Sequence, residues 1–198
     1  MLDEKLYSFF LVGGTALSLQ IGHRISIDID LFSLESFDEN GLSSYLETKQ
    51  GLQLNYLNKN TIKGQINNVQ VDLITHAYPL VRDLSVSETI RLASLDDISA
   101  MKLNAIVGNG TRLKDFIDIA FLSSYLSLQQ MINAYGHKYQ SRNPLITMKA
   151  LAYHNEINFK EPIHFLAGTY PWKLIETRLN QMMKSPTEVL PPLPGQTL

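Results

Sequence analysis

Asp28 and Asp30 stand two residues apart in Ile25-Ser26-Ile27-Asp28-Ile29-Asp30-Leu31-Phe32, a run that alternates apolar and polar side chains. A period of two is that of a β-strand, with Ile25, Ile27, Ile29 and Leu31 on one face and both carboxylates on the other. Two like charges ~4 Å apart repel by about 4 kcal/mol at an effective dielectric near ~20. A chain keeps such a pair where a hard cation or a proton bridges it, and Mg²⁺ with oxygen ligands is the natural partner. Asp72, between Val71 and Leu73 on a later strand, is expected to reach the same metals. Three carboxylates around two metals form a clamp for in-line displacement at phosphorus. One metal would hold a triphosphate; the other, held partly by Asp72, would lower the pKa of an attacking hydroxyl. Removing the Asp72 charge should then relieve repulsion in the metal-free chain.

Gly13-Gly14-Thr15 supplies the matching anion cradle. A turn without side chains, at the first turn of a helix, points backbone N–H groups at phosphate oxygens, and the Thr15 hydroxyl adds a donor. His23 and Arg24, just before the metal strand, can approach the β- and γ-phosphates or the acceptor. Taken singly these signals are weak: Asp-x-Asp on a solvated strand face is commonly incidental, Gly-Gly is commonly a turn, and a lone strand aspartate is commonly an edge charge. Their joint order carries the reading.

A second polar set punctuates apolar helices downstream: Asp97, Lys102, Lys114, Asp115 and Asp118. Asp115 and Asp118 are i,i+3 and Lys114 and Asp118 are i,i+4 on a segment otherwise made of Phe116, Ile117, Ile119, Ala120 and Phe121, so this helix should be buried and its charges paired, Lys102 with Asp118. Two readings stand side by side, an ion network tying two lobes together and a grip on phosphate or nucleobase. Phe165, Tyr170 and Trp172 read as core or lobe-interface packing rather than a base-stacking platform, Met182-Met183 as core filling, and His76, His137, His154 and His164 lack metal-ligand spacing.

The elements that must position these groups follow from punctuation. Leu6 to Val12 reads as a buried strand ended by Gly-Gly, Thr15 as the cap of a helix Ala16 to Ile21, and Phe37 to Lys49 as a helix begun by Ser36 or Asp38 and closed by Gly51. Leu52–Leu57, Thr61–Ile66 and Val69–Thr75 read as strands, the last two joined by a tight Asn67-Asn68 turn, and Pro79 ends the sheet-forming part. Ser94-Leu95-Asp96-Asp97 opens a helix to about Val107, and further helices are expected at Arg112–Ser124, Leu128–Tyr139, Leu145–His154 and Trp172–Met183. The expectation is an α+β fold: residues 1–92 a mixed sheet with flanking helices, 93–185 a helical lobe, and 186–198 a proline-rich tail, extended or loosely ordered.

Bulk properties bound the rest. With 198 residues and 44% apolar side chains, the chain can bury one core or two small ones. A net charge of -2 offers no broad basic face for nucleic acid, so a polynucleotide would have to meet a local patch. The absence of cysteine excludes disulfides and thiolate metal sites. The opening MLDEKLYSFFLV carries acidic groups where a leader is basic, and no stretch reaches the ~18 apolar residues of a membrane span, so the expected location is the cytoplasm. The oligomeric state is left open by the sequence, with a monomer as the default.

Gly13-Gly14-Thr15-Ala16-Leu17 with Gly22-His23-Arg24-Ile25-Ser26-Ile27-Asp28-Ile29-Asp30-Leu31-Phe32 resembles the first motif of the AbiEii/AbiGii toxin nucleotidyltransferases, a branch of the polymerase-beta-like superfamily. On that resemblance Gly13, Gly14 and Thr15 fall on the glycine-rich turn, Asp28 and Asp30 on the two metal-binding aspartates, and Asp72 on the third carboxylate. Lys102, in Met101-Lys102-Leu103-Asn104-Ala105, matches a lysine motif, and Lys114-Asp115-Phe116-Ile117-Asp118-Ile119 matches a Lys-Asp-x-x-Asp motif. The resemblance implies a nucleotidyltransferase lobe followed by a helical bundle, Mg²⁺ as cofactor, and an NTP as co-substrate. It implies the toxin half of a type IV toxin–antitoxin or abortive phage-infection system, acting on tRNA and held in check by a cognate antitoxin. Protein nucleotidylation, suggested by the small net charge, and a catalytically silent interaction module are the alternatives.

Overall fold

The computed structural model describes residues 3–140 and 143–196. Met1 and Leu2, part of the stretch read for a leader, and Thr197 and Leu198 of the tail lie outside the described residues. The chain divides into two compact units, one of residues 1–16, 26–79 and 83–93, the other of 17–25, 80–82 and 94–198.

The first unit is built on a sheet of strands β1 (Phe10–Leu11), β2 (Ile29–Ser33), β3 (Gln53–Asn58), β4 (Thr61–Ile66), β5 (Val69–Thr75), β6 (Ser85–Ser87) and β7 (Ile90–Leu92). Their order is β3-β4-β5-β2-β1-β7-β6. β2 runs parallel to β5 and β1 parallel to β7, while the other neighbours are antiparallel. Helix α2 (Glu39–Gln50) is capped by Asp38, whose side chain accepts from Gly41 N–H, and closes on Gly51 in the left-handed region at φ 70°. It presents Leu42 and Leu46 to the core, which also buries Leu31, Ile62, Val71 and Leu73. Asn67 and Asn68 both have positive φ, 50° and 64°, as a two-residue hairpin of matched twist requires.

Three expectations need correction. The alternating run from Ile25 is a strand only from Ile29. Its first half hydrogen-bonds elsewhere: Arg24 bridges Phe165, Ile25 N–H donates to His164 C=O at 2.7 Å, and Ile25 and Ile27 are left 51% and 66% exposed. The first strand shrinks to two residues, because a 3-10 turn over Glu4–Leu6 precedes it. The sheet does not stop at Pro79, since β6 and β7 extend it on the far side of β1; Ser-Val-Ser and Ile-Arg-Leu alternate, but strands of 3 residues are too short for the pattern to stand out.

The division into units falls within α1 (Gly13–Ile21), after Ala16. The second unit takes the rest of α1 together with α3 (Leu95–Gly108), α4 (Leu113–Leu122), α5 (Leu128–Tyr139), α6 (Pro144–Ala152) and α7 (Trp172–Lys184). Ser94 caps α3 through Asp97 N–H, and Ser127 with Gln130 forms a full capping box on α5. α4 is buried almost throughout, with Phe116, Ile119, Ala120 and Leu122 at 0% exposure. Of the three aromatics Tyr170 is buried, while Phe165 and Trp172 are partly buried; Phe121 meets Phe165 and Tyr170, and Phe116 meets Trp172. The proline-rich tail is not loose through its described part. Leu190 and Leu193 are buried, Leu190 N–H donates to Ser123 C=O at 2.8 Å, and Gln196 accepts from Ser124 at 3.1 Å. Prolines have little backbone freedom to lose on docking, so two leucine anchors suffice. No helix among the described residues is long and apolar enough to cross a membrane.

Candidate active site

In the first unit, β2 and β5 place Asp30 directly opposite Asp72 in parallel register. Successive side chains alternate, so Ile29, Leu31, Val71 and Leu73 line the other face, where they bound an apolar cavity of about 450 Å³ with Leu6, Leu46 and Ile66. Gly13, at φ 71°, lies against the Asp30 carboxylate. A Cβ there would overlap Oδ2 and stand 3.3 Å from Cγ, so only glycine admits both the backbone angle and the close approach. Val12 N–H donates to Asp30 C=O at 2.9 Å, which fixes the turn to the strand. Asp28 precedes β2 and is exposed. The Thr15 hydroxyl, expected on a phosphate, instead donates to Asp28 C=O and lies 3.1 Å from Ser26 Oγ, pinning the 26–28 loop.

Asp72 is not the crowded, uncompensated carboxylate expected. Lys63 on β4 stands opposite it in register, and its ammonium is bonded to Oδ2, while Gln70 Nε2 donates to Oδ1 at 2.8 Å. Lys63 escaped the sequence reading, yet the signal was there. A two-residue turn at Asn67-Asn68 pairs 66 with 69 and, counting outward, 63 with 72.

A metal fits these groups on the chemistry of the donors. They are hard carboxylate oxygens, and the Lys63 ammonium already acts as a cation on Asp72. Among the described residues no group of three or more His, Cys, Asp or Glu side chains is poised to hold a metal. Mg²⁺ commonly needs only one or two carboxylates, with phosphate oxygens and water completing its shell.

The other expected site residues belong to the second unit. Asp118, fully buried, accepts from Arg24 Nε at 2.7 Å and Nη2 at 2.9 Å, from His23 Nε2 at 2.8 Å, and from Lys102 Nζ at 2.7 Å. Lys102 also reaches Asp115 at 2.8 Å, while Lys114 pairs with Glu161 at 3.1 Å. Arg24, expected near phosphates, is thus a buried partner of Asp118, and Lys114 stands apart from the network. Burial works against the charged form of each member, but the ion pairs win: Asp118 is held well below the usual carboxylate range by Lys102, His23 and Arg24, and Lys102 is raised by Asp118 and Asp115. A second buried network was only half legible, since Asp97 was marked but its partner Lys138, at 2.8 Å, was not.

For His23 the balance falls the other way. Burial lowers its pKa below 6.5 and outweighs the attraction of Asp118. The neutral ring donates from Nε2 to Asp118, and Nδ1 has no hydrogen-bond partner. A base whose folded pKa is depressed contributes stability that is complete above the unfolded value of 6.5 and is lost as pH falls below it, at up to ~1.4 kcal/mol per pH unit. Wild type should therefore lose more stability between pH 7.5 and about pH 5 than His23→Gln does, with Trp172 fluorescence in urea as the probe. An equal loss in both, or a His23 pKa above 6.5 by NMR, would refute this.

Residues 2–70 match the family described as Nucleotidyl transferase AbiEii toxin, Type IV TA system. That stretch carries Gly13, Gly14, Thr15, Asp28 and Asp30 and ends just before Asp72. An uncharacterised protein of Aquifex aeolicus is 28% identical over 182 residues, covering 89% of this chain and 86% of that protein. Among solved structures, a candidate nucleotidyltransferase from H. pylori is 15% identical with a TM-score of 0.50, over 90% of this chain and 87% of that one. JHP933 from Helicobacter pylori is 17% identical, with a TM-score of 0.44, over 90% and 88%. At 15% identity the likeness speaks to fold and not to chemistry.

Proposed function

We propose that this chain, whose fold is that of the polymerase-beta-like nucleotidyltransferase superfamily, transfers a nucleoside monophosphate from an NTP to a hydroxyl acceptor. The observation that supports the reading above others is the in-register Asp30–Asp72 pair with the Gly13 turn pressed against Asp30. In the reaction the acceptor oxygen bonds to the α-phosphorus as the bond from that phosphorus to the bridging β-oxygen breaks. Pyrophosphate leaves, and the hydroxyl proton passes to solvent. Mg²⁺, bound with the NTP, supplies charge neutralisation at the phosphates and acidifies the acceptor hydroxyl. Asp28 and Asp30 would hold it, with Asp72 as a further ligand toward the acceptor. Gly13 and Gly14 offer backbone N–H groups to the triphosphate, and Thr15 keeps the Asp28 loop in place. Lys102, Asp115 and Asp118 act first as the structural core of their own unit.

The match of residues 2–70 to a family described as an AbiEii toxin of a type IV TA system supports a toxin role with a cognate antitoxin as partner; tRNA as acceptor and a cytoplasmic role in phage defence are what the sequence resemblance implies. The net charge of -2 favours the second reading, a protein hydroxyl as acceptor. One experiment addresses both. Protein, Mg²⁺ and each of the four α-labelled NTPs are incubated with total tRNA or with cell extract, beside an Asp28→Asn, Asp30→Asn double variant. Labelled polymer is expected from wild type alone. Loss of label to ribonuclease assigns RNA, and loss to protease assigns protein. No product with any NTP, together with no nucleotide binding, removes the proposal.

A further inference from the structure

We infer that Lys63 is the tethered counter-cation of the proposed metal site, competing with the divalent ion for Asp72 and so setting how readily the site loads. The inference rests on the nucleotidyltransferase reading. Lys63, Asp72 and Asp30 form one row across β4, β5 and β2, because Lys63 pairs with Asp72 and Asp72 with Asp30 in the strand register. Neighbouring strands lie ~4.8 Å apart, so Asp72 is a direct neighbour of both other groups, and Lys63 stands roughly two strand spacings from Asp30. Both carboxylate oxygens of Asp72 are engaged, one by the Lys63 ammonium and one by Gln70 Nε2. Each oxygen keeps a second lone pair, so Asp72 can still ligate an ion, but the ammonium held on Oδ2 opposes a divalent cation arriving there.

The Lys63 bond is suited to opening. Its side chain is 41% exposed, so the released ammonium regains water, and ion pairs of that exposure are weak. The pair does not resemble the buried networks of the second unit, whose lysines are 2% and 8% exposed. Lys63 thus neutralises Asp72 while the site is unloaded, offsets part of the carboxylate repulsion, and swings aside when a stronger cation arrives. Even after moving, its charge opposes the metal, so removing it must tighten binding.

The test uses the nucleotide-free full chain and Mn²⁺ as probe, with free Mn²⁺ read by electron paramagnetic resonance at fixed pH and ionic strength. Lys63→Gln and Lys63→Met should each bind Mn²⁺ about three- to tenfold more tightly than wild type, as expected for loss of one nearby unit charge in a half-solvated site. Lys63→Arg, which keeps the cation, should bind as wild type does. Asp30→Asn should lose the site. Unchanged or weaker binding in both neutral variants, with binding still lost in Asp30→Asn, overturns the role of Lys63 and leaves the metal site standing. Wild type with no Asp30-dependent Mn²⁺ binding overturns both.

Discussion

Asp118→Asn is expected to destabilise the helical unit by about 3–5 kcal/mol, a large share of the ~5–15 kcal/mol that holds an ordinary domain together. The reason lies in what remains. Arg24 and Lys102 are buried to 4% and 6% exposure, and Asp118 gives them three of their charge-assisted bonds at 2.7–2.9 Å. Asparagine keeps the shape but not the charge, so Lys102 is left with Asp115, and Arg24 with the charges of Asp115 and Glu161 acting without a direct ion pair. The same asymmetry makes the pair itself a poor source of net stability, because desolvation offsets most of the attraction. Lys102→Met added to Asp118→Asn should therefore recover part of the loss, and a double-mutant cycle reads the coupling. The chain's one tryptophan, Trp172, lies in this unit and reports its urea midpoint. A shift worth less than ~1 kcal/mol would mean that water already screens the network. Acid adds a separate signature: a depressed carboxylate contributes stability above its unfolded value of 3.8, and that stability disappears as pH falls through the lower folded value.

Local punctuation made most elements legible. Asp38, Gly51 and Ser94 act at helix ends through backbone geometry that depends on a few neighbouring residues, and the helices they bound lie where the spacing places them. The strand register around Asp72 was equally local, because Asn67-Asn68 fixes it. What failed was non-local. Ile25 and Ile27 alternate as strand residues do, but backbone partners at His164 and Phe165, far along the chain, take Arg24 and Ile25 into the other unit. Arg24 follows the same logic: next to a metal-binding motif it reads as a phosphate ligand, yet Asp118, ninety-four residues away, takes its guanidinium. Thr15 carried a hydroxyl suited to phosphate, and the carbonyl of Asp28 claimed it. Residue type and spacing announce which groups can do chemistry. Which of them stay open for it is decided by tertiary partners.

Asp30→Asn should bring the largest functional loss, about 10³-fold or more in turnover, equivalent to ~4 kcal/mol of transition-state stabilisation. Asp30 lies between the Gly13 turn and Asp72, so its carboxylate is the one placed to bind a metal that also touches the triphosphate. Asparagine retains a neutral oxygen ligand but removes the charge that a hard divalent ion requires. Asp72→Asn should be milder, about 10²-fold, with nucleotide affinity kept within a few-fold, because on the proposed reading Asp72 would serve the acceptor side and would not hold the triphosphate. Neither variant should unfold the protein. Asp30 sits at the partly exposed level of its strand. Loss of Asp72 frees only the half-exposed Lys63, worth at most ~1 kcal/mol, so the stabilisation that relieved carboxylate repulsion would give is not expected here. The measurement is single-turnover transfer at saturating Mg²⁺ and NTP, with calorimetric NTP binding and a urea midpoint on each variant. If Asp30→Asn transfers at a near-wild-type rate while remaining folded, the carboxylate row is ordinary sheet surface and the proposed chemistry is wrong. If Asp72→Asn loses as much as Asp30→Asn, the two hold one metal together and the division of labour between them disappears.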